Sequence, residues 1–315
     1  MTIDPGMGGV NETQSAPDAG TLTPDDERRI EAARASLAER ESILVAFSGG
    51  VDSAVVAAIA HDVLGDAAVA CTAKSETLPS AELEDARRVA TEIGIRHKIV
   101  NFSELENPDF VENDGDRCYH CRTMRLGRMY ETAHELNITT VCDGTNASDP
   151  SEGHRPGLQA VEELSVHSPL REHGFEKDAV RRVADWYGLS VADKPSMACL
   201  SSRIPTGLAV TEDRLSRVEK AEAALRQWGF SQFRVRDHDG LARIEVASEE
   251  LSEALDTDFV IAVRQRLTEI GFDHVTLDLH GYQTGSVSPG NESETDSGDG
   301  PVVEDVFETS YPSTE

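Results

Sequence analysis

Lysine is nearly missing from this chain: Lys74, Lys98, Lys177, Lys194 and Lys220 are the five among 315 residues. With 29 basic against 58 acidic residues, the formal net charge is −29. Such a surface lacks the basic face that non-specific nucleic-acid binding requires, so no nucleic-acid partner is expected. It does suit a protein that must stay hydrated in high salt, and a salt-loving organism is the expectation. Also missing is any apolar run near the ~18 residues of a membrane-spanning helix. No basic region followed by an apolar core opens the sequence, as a signal peptide would. The cysteines, Cys71, Cys118, Cys121, Cys142 and Cys199, are odd in number and thinly spread. They argue against a disulfide framework and for a reducing cytoplasm. There is no internal repeat, and the length allows roughly two domains.

What is there is organised around Ile43-Leu44-Val45-Ala46-Phe47-Ser48-Gly49-Gly50-Val51-Asp52-Ser53. The apolar run reads as a buried parallel strand. Ser48-Gly49-Gly50 makes a tight turn, and Ala54–Ala60 reads as a buried helix. A glycine-rich loop between a strand and a helix N-terminus presents backbone N–H groups at the positive end of the helix dipole, which is a phosphate site. The loop lacks both the Gly-Lys-Ser/Thr ending of a Walker A loop and the further glycines of a dinucleotide fingerprint.

Along the chain, residues 1–24 are polar, without apolar period, and read as disordered. Thr23-Pro24-Asp25-Asp26-Glu27 is a helix start. Further strands are expected at Ala67–Ala73, Arg96–Val100 and Thr139–Cys142, with a short fifth at Val166–Leu170. A helix is expected over 80–93. Ser75 and Glu76 follow the second strand, and Asp143-Gly144-Thr145-Asn146 follows the fourth; ligands of open α/β sheets sit beyond such ends, so these flank the expected adenosine site. Asp149 to Gly157 reads as a polar loop. Cys71 and Cys142 lie within strands and read as small buried hydrophobes. Cys118-Tyr119-His120-Cys121 precedes a helix; a Cys-x-x-Cys pair alone fits half a zinc site, a redox pair or two packed thiols. Cys199 lies in a loop-like stretch. Strand–helix alternation predicts a doubly wound parallel α/β sheet over residues 25–207. Over 208–284 the pattern becomes helix, hairpin (turning at His238-Asp239-Gly240), helix, strand, a smaller α+β domain. Residues 285–315 read as a disordered acidic tail.

Ser48-Gly49-Gly50-Val51-Asp52-Ser53 resembles the loop of the N-type ATP pyrophosphatases, which cut ATP between its α- and β-phosphates. Together with Arg155-Pro156-Gly157, Ala198-Cys199-Leu200-Ser201-Ser202-Arg203, Arg234-Val235-Arg236, Ala242-Arg243-Ile244-Glu245 and the terminal Val275–Tyr282, it makes residues 41–283 similar to the LarE family of ATP-dependent sulfur transferases. The resemblance implies ATP with Mg²⁺, held by Ser48, Gly49, Gly50, Asp52, Ser53, Ser75 and Gly144. It implies conversion of the carboxylates of pyridinium-3,5-biscarboxylic acid mononucleotide to thiocarboxylates, for a nickel-pincer nucleotide, and a trimer-based hexamer. In some members the cysteine at the position of Cys199 gives up its own sulfur. In others three cysteines hold a [4Fe–4S] cluster, and Cys118, Cys121 and Cys199 match that kind. Arg203, Arg234 and Arg236 are candidates for the substrate phosphate, since guanidinium forks suit it.

The competing classes are an amide-forming synthetase of the NAD or GMP synthetase sort, a tRNA thiolase, and a non-enzymatic nucleotide sensor. The first leaves the three cysteines unexplained, and no glutaminase domain is visible to feed it. The second wants the basic face that is lacking.

Overall fold

The computed structural model describes residues 21–149, 156–195 and 197–282. The tails read as disordered fall outside these, apart from residues 21–24, and so do Arg155 and Ser196.

Strand β1 (Ile43–Ala46) is the inner strand from which the large sheet is built. It pairs in parallel with β2 (Ala68–Lys74) on one side and β4 (Thr140–Cys142) on the other; β3 (Arg96–Asn101) extends the sheet beyond β2. The order β3-β2-β1-β4 reverses direction at β1, so a crevice opens beyond the carboxyl ends there. Side chains alternate across β1 with period two. Ile43 and Val45 enter one core with α1 (Pro24–Ala38), α2 (Val51–Leu64), α3 (Ser80–Ile93) and α8 (Lys177–Trp186). Leu44 enters the other with α5 (Arg117–Glu135) and α6 (Pro156–Glu163). This is the expected doubly wound arrangement.

The run Ala54–Ala60 is fully buried because its small side chains let α1, α3, α8 and the sheet close around α2 from all sides. α1 begins as its sequence dictates: Thr23 accepts from the Asp26 backbone N–H and Asp26 returns the bond to Thr23, a capping box. Cys71 and Cys142 are completely buried, one in each core. Burial pushes the Cys71 thiol up to about 11.

Two expectations fail locally. Val166–Leu170 does not form a strand; a single parallel bridge joins His167 to Cys142. Pro169 carries the chain directly into α7 (Pro169–Glu172), and proline cannot donate to a ladder. The loop read through Gly157 ends sooner, because Pro156 opens α6, a position where its missing N–H costs nothing.

After α4 (Pro108–Glu112), α5 and the segment around Cys199, the chain enters a second, mixed sheet. α9 (Glu212–Gln227) leads into β5 (Phe233–His238) and β6 (Leu241–Val246), joined by a two-residue turn whose residues Asp239 and Gly240 both have positive φ, as tight hairpins require. α10 (Leu251–Ala254) and α11 (Thr257–Ile270) follow, and β7 (His274–Leu277) adds in parallel to β6. Val235, Ala242, Ile244 and Val246 pack with Leu225, Val263 and Leu267 as a separate core. A further apolar cluster, Phe110, Leu200, Ile204, Val210, Leu215 and Val218, packs the Cys199 segment against α4 and α9.

Candidate active site

The loop from β1 to α2 is held open by its own serines. Ser53 Oγ accepts from the Ser48 backbone N–H at 3.2 Å and donates to the Gly50 carbonyl at 3.1 Å; the Gly50 N–H donates to Ser48 Oγ at 3.3 Å. No side chain among the described residues caps α2, so its first N–H groups are left for a ligand. Two glycines are dictated by space. A Cβ on Gly49 (φ +76°) would lie 2.7 Å from the Ala86 backbone, and one on Gly144 would lie 2.7 Å from the Ser53 nitrogen. The β1 and β4 loops therefore touch backbone to backbone.

A cavity of about 620 Å³ opens beside this loop. Ala46, Phe47, Thr72 and Ala73 give it an apolar wall, and Ser48, Asp52, Ser53 and Gly144 a polar one. A second cavity, of about 170 Å³, continues past Ser48, Gly50 and Asp52 to Lys177, Lys194 and Cys199. Ser48, Asp52, Leu78 and Arg125 line both. Two of the chain's five lysines thus face the phosphate loop. Lys177 Nζ lies 2.6 Å from Asp52 Oδ2, and Asn146 Nδ2 donates to Asp52 Oδ1 at 2.9 Å. Lys194 bridges Glu82 and Asp85 at 2.7 and 2.8 Å.

Cys199 reaches the second cavity from a turn whose Leu200 N–H bonds the Thr77 carbonyl at 2.9 Å. Burial opposes its ionisation, but the Ser201 hydroxyl at 3.1 Å and the Arg117 and Arg125 guanidiniums outweigh it and hold the thiol below its ordinary value. Cys118 lines the larger cavity. Cys121 lines neither; it is packed beside the Phe110–Leu200 cluster. Burial, opposed by Arg125 and reinforced by Cys199, Glu104 and Cys118, pushes its thiol up to about 12. Of the three cysteines expected to act together, Cys121 is thus an electrostatic neighbour of both others. Among the described residues no group of three or more His, Cys, Asp or Glu side chains is arranged to hold a metal ion.

Residues 28–114 match the asparagine synthase family. An uncharacterized protein of Synechocystis sp. is 41% identical over 83% of this chain and 97% of its own length. The pyridinium-3,5-bisthiocarboxylic acid mononucleotide synthase of Lactiplantibacillus plantarum is 36% identical over 81% of this chain and 91% of that protein. The chain belongs to the LarE family of sulfur transferases. The tRNA-specific 2-thiouridylase MnmA of Ruegeria sp. is a more distant relative, 30% identical over 49% of this chain and 50% of that protein.

Against the LarE-like expectation for site residues, the arginines are placed differently from an open phosphate subsite. Arg203 is buried and forked onto Glu222 at 2.8 and 3.1 Å, while its Nη1 donates to the Ala198 and Cys199 carbonyls at 2.7 and 3.1 Å. Arg236 is buried and forked onto Glu245, and its Nη1 donates to the Ser202 carbonyl at 3.0 Å. The geometry that suits a phosphate suits a carboxylate equally, and here it fixes the Cys199 backbone. Arg234 stacks on Tyr282 at 4.6 Å; burial, with Arg203 and Arg236 nearby, holds its pKa down. Gly49 packs on α3, and the Ser75 hydroxyl lies 3.2 Å from that of Thr77 and accepts from Arg125 Nη2 at 3.5 Å.

Sequence reading placed Asn146 at the site but passed over Lys177, Lys194, Glu104, Arg122 and Arg125. Arg122 pairs with the buried Asp143 in the wall of the larger cavity. Arg125 bonds Glu104 and Thr77. The lysines carried a usable signal: in a chain with so few, two fall between the last strand of the large sheet and Cys199.

Proposed function

We propose that this chain is an ATP-dependent sulfur transferase that adenylates a carboxylate and converts it to a thiocarboxylate, with pyridinium-3,5-biscarboxylic acid mononucleotide as the substrate. The observation that carries this is that the phosphate loop and Cys199 line one cavity, which shares Ser48, Asp52, Leu78 and Arg125 with the larger one. An ATP site opening on a cysteine held toward its thiolate form is what sulfur transfer to an activated acyl group requires.

In this reading the apolar wall takes the adenosine. The β- and γ-phosphates lie against the Ser48–Ser53 loop with Lys177 and Lys194. Asp52 supplies a carboxylate oxygen of the kind Mg²⁺ takes. A substrate carboxylate oxygen attacks the α-phosphorus and pyrophosphate leaves into the second cavity. A sulfur anion then attacks the acyl carbon and AMP leaves. Arg203 and Arg236 hold the carbonyls on either side of Cys199, so the sulfur arrives from a fixed direction.

Cys118, Cys121 and Cys199 would hold a [4Fe–4S] cluster. Cys121 is an electrostatic neighbour of both other thiols, and the Arg117 and Arg125 cations beside Cys199 would offset thiolate charge, but among the described residues the three thiols are not arranged to hold a metal ion as they stand. Held by these thiols, such a cluster would supply a transferable sulfide. A trimer-based hexamer, a cytoplasmic location and salt adaptation belong to the same reading. No helix among the described residues is long and apolar enough to cross a membrane.

The test is carboxylate-dependent release of AMP and pyrophosphate by anaerobically purified protein, with iron and sulfide analysis. ADP and orthophosphate as products would remove the assignment. Iron lost on changing any one of the three cysteines to Ala, but not Cys71 or Cys142, supports the cluster. Activity lost only with Cys199→Ala, and spent enzyme about 34 Da lighter through loss of H₂S, identifies Cys199 as a sacrificial donor instead.

A further inference from the structure

One cation stands where the two cavities meet. Of the four residues lining both, Arg125 alone is basic. It projects from the third turn of α5 and is pinned from one side. Its Nε and Nη2 donate to Glu104 Oε1 at 3.1 and 2.9 Å, and Nη2 also donates to the Thr77 hydroxyl at 2.7 Å. Glu104 is completely buried and its other oxygen has no partner among the described residues, so the pair is locked rather than solvated. Phe102 lies under the guanidinium, 5.9 Å from ring centre to Cζ. The remaining nitrogen, Nη1, makes no hydrogen bond among the described residues, and a quarter of the side chain stays exposed. A planar fork anchored by two of its nitrogens and open at the third is a preorganised donor.

We infer that Arg125 is a catalytic residue whose free Nη1 contacts the non-bridging oxygens of the nucleotide's α-phosphate. This rests on the adenylation reading above, and the placement follows from the cavities. With the adenosine in the larger one and the terminal phosphates against the loop and lysines of the smaller one, the α-phosphorus falls at their junction. In the first step a carboxylate oxygen forms a bond to phosphorus while the bond from phosphorus to the bridging oxygen breaks, and both electrons leave on pyrophosphate. Negative charge concentrates on the equatorial oxygens. In the second step a sulfur anion bonds the acyl carbon and the bond from that carbon to the phosphate oxygen breaks, leaving the charge on AMP. Neither step needs a proton or an oxidant, and in both the charge develops within reach of the same guanidinium.

Two folded full-length variants, Arg125→Gln and Arg125→Lys, test this beside Thr77→Val, which loosens the anchor but keeps the guanidinium. The readouts are melting temperature, single-turnover pyrophosphate release, and the rate ratio between the two diastereomers of ATP carrying sulfur at the α-phosphorus. Arg125→Gln is expected to lose about 100-fold or more in the maximal rate, the usual cost of one preorganised donor, with a much smaller change in the KM for ATP. In Arg125→Lys the diastereomer preference should collapse, while Thr77→Val should keep it. If Arg125→Gln does not fold, the diastereomer ratio of Arg125→Lys decides. A diastereomer preference unchanged in Arg125→Lys, or equally lost in Thr77→Val, overturns the contact and leaves Arg125 an anchor. Production of ADP by the wild type overturns the adenylation reading itself, before any variant is compared.

Discussion

The core around β1 and the seam around Cys199 are equally dry but are built from opposite materials. α2 contributes mostly alanine and valine to a core with Ile30, Leu37, Phe47 and Phe175, and the faces of β1 are wholly apolar. The seam buries Arg203, Arg234, Arg236, Glu222, Asp237 and Glu245. Burying a paired charge contributes little net stability, whereas breaking the pair is expensive. The first region accordingly makes the fold, and the second fixes a direction. The guanidiniums of Arg203 and Arg236 each bond a carboxylate, on α9 or the small sheet, with one edge and a backbone carbonyl of residues 198–202 with the other.

The largest effect expected is at the seam. Glu245→Ala leaves Arg236 buried without its fork and should cost about 3–5 kcal/mol in denaturant unfolding. Replacing both partners, Arg236→Met with Glu245→Leu, should return most of that stability yet depress sulfur transfer, because the Ser202 carbonyl loses its donor. If the double variant is as unstable as the single one, or fully active, the distinction between the two regions fails. In the apolar core, Ile59→Ala should cost about 2–5 kcal/mol through lost burial and a residual cavity, and should leave the KM for ATP unchanged. A smaller effect tests a charge buried at the edge of that core. Asp26 is bonded by Arg182 at 2.8 and 2.9 Å and by the Thr23 backbone; burial alone would raise its pKa, and these bonds outweigh it. With its folded pKa below the ordinary 3.8, the carboxylate's contribution is complete above that value and is lost as pH falls through the folded one. Asp26→Asn should therefore cost about 1–2 kcal/mol near neutrality and flatten the acid limb of the stability profile below pH ~4.

The apolar core was readable from residues 43–60 alone, because a buried strand and a buried helix write their burial into consecutive positions. The hairpin was equally plain in His238-Asp239-Gly240. The seam was not. Arg203 and Arg236 look the same in sequence whether their partner is a phosphate or Glu222 and Glu245, since guanidinium chemistry does not distinguish the two. Arg125 sits in a helix among Arg122 and Arg128 and reads as solvated; its partners Glu104 and Thr77 lie 21 and 48 residues away. The failed strand at Val166–Leu170 was misread because apolar content was weighed above Pro169.

The scarcity of lysine and the placing of two of the five beside the phosphate loop set the kinetics of capture. A polyanionic nucleotide diffusing toward this molecule first meets a repulsive far field from a net charge of −29 and feels the lysines only at contact distance. Added salt erases the long-range repulsion before it weakens the enclosed attraction, since a Debye length of ~10 Å at 0.1 M screens the approach path but not the cavity. Association should therefore quicken with ionic strength, the reverse of ordinary electrostatic steering.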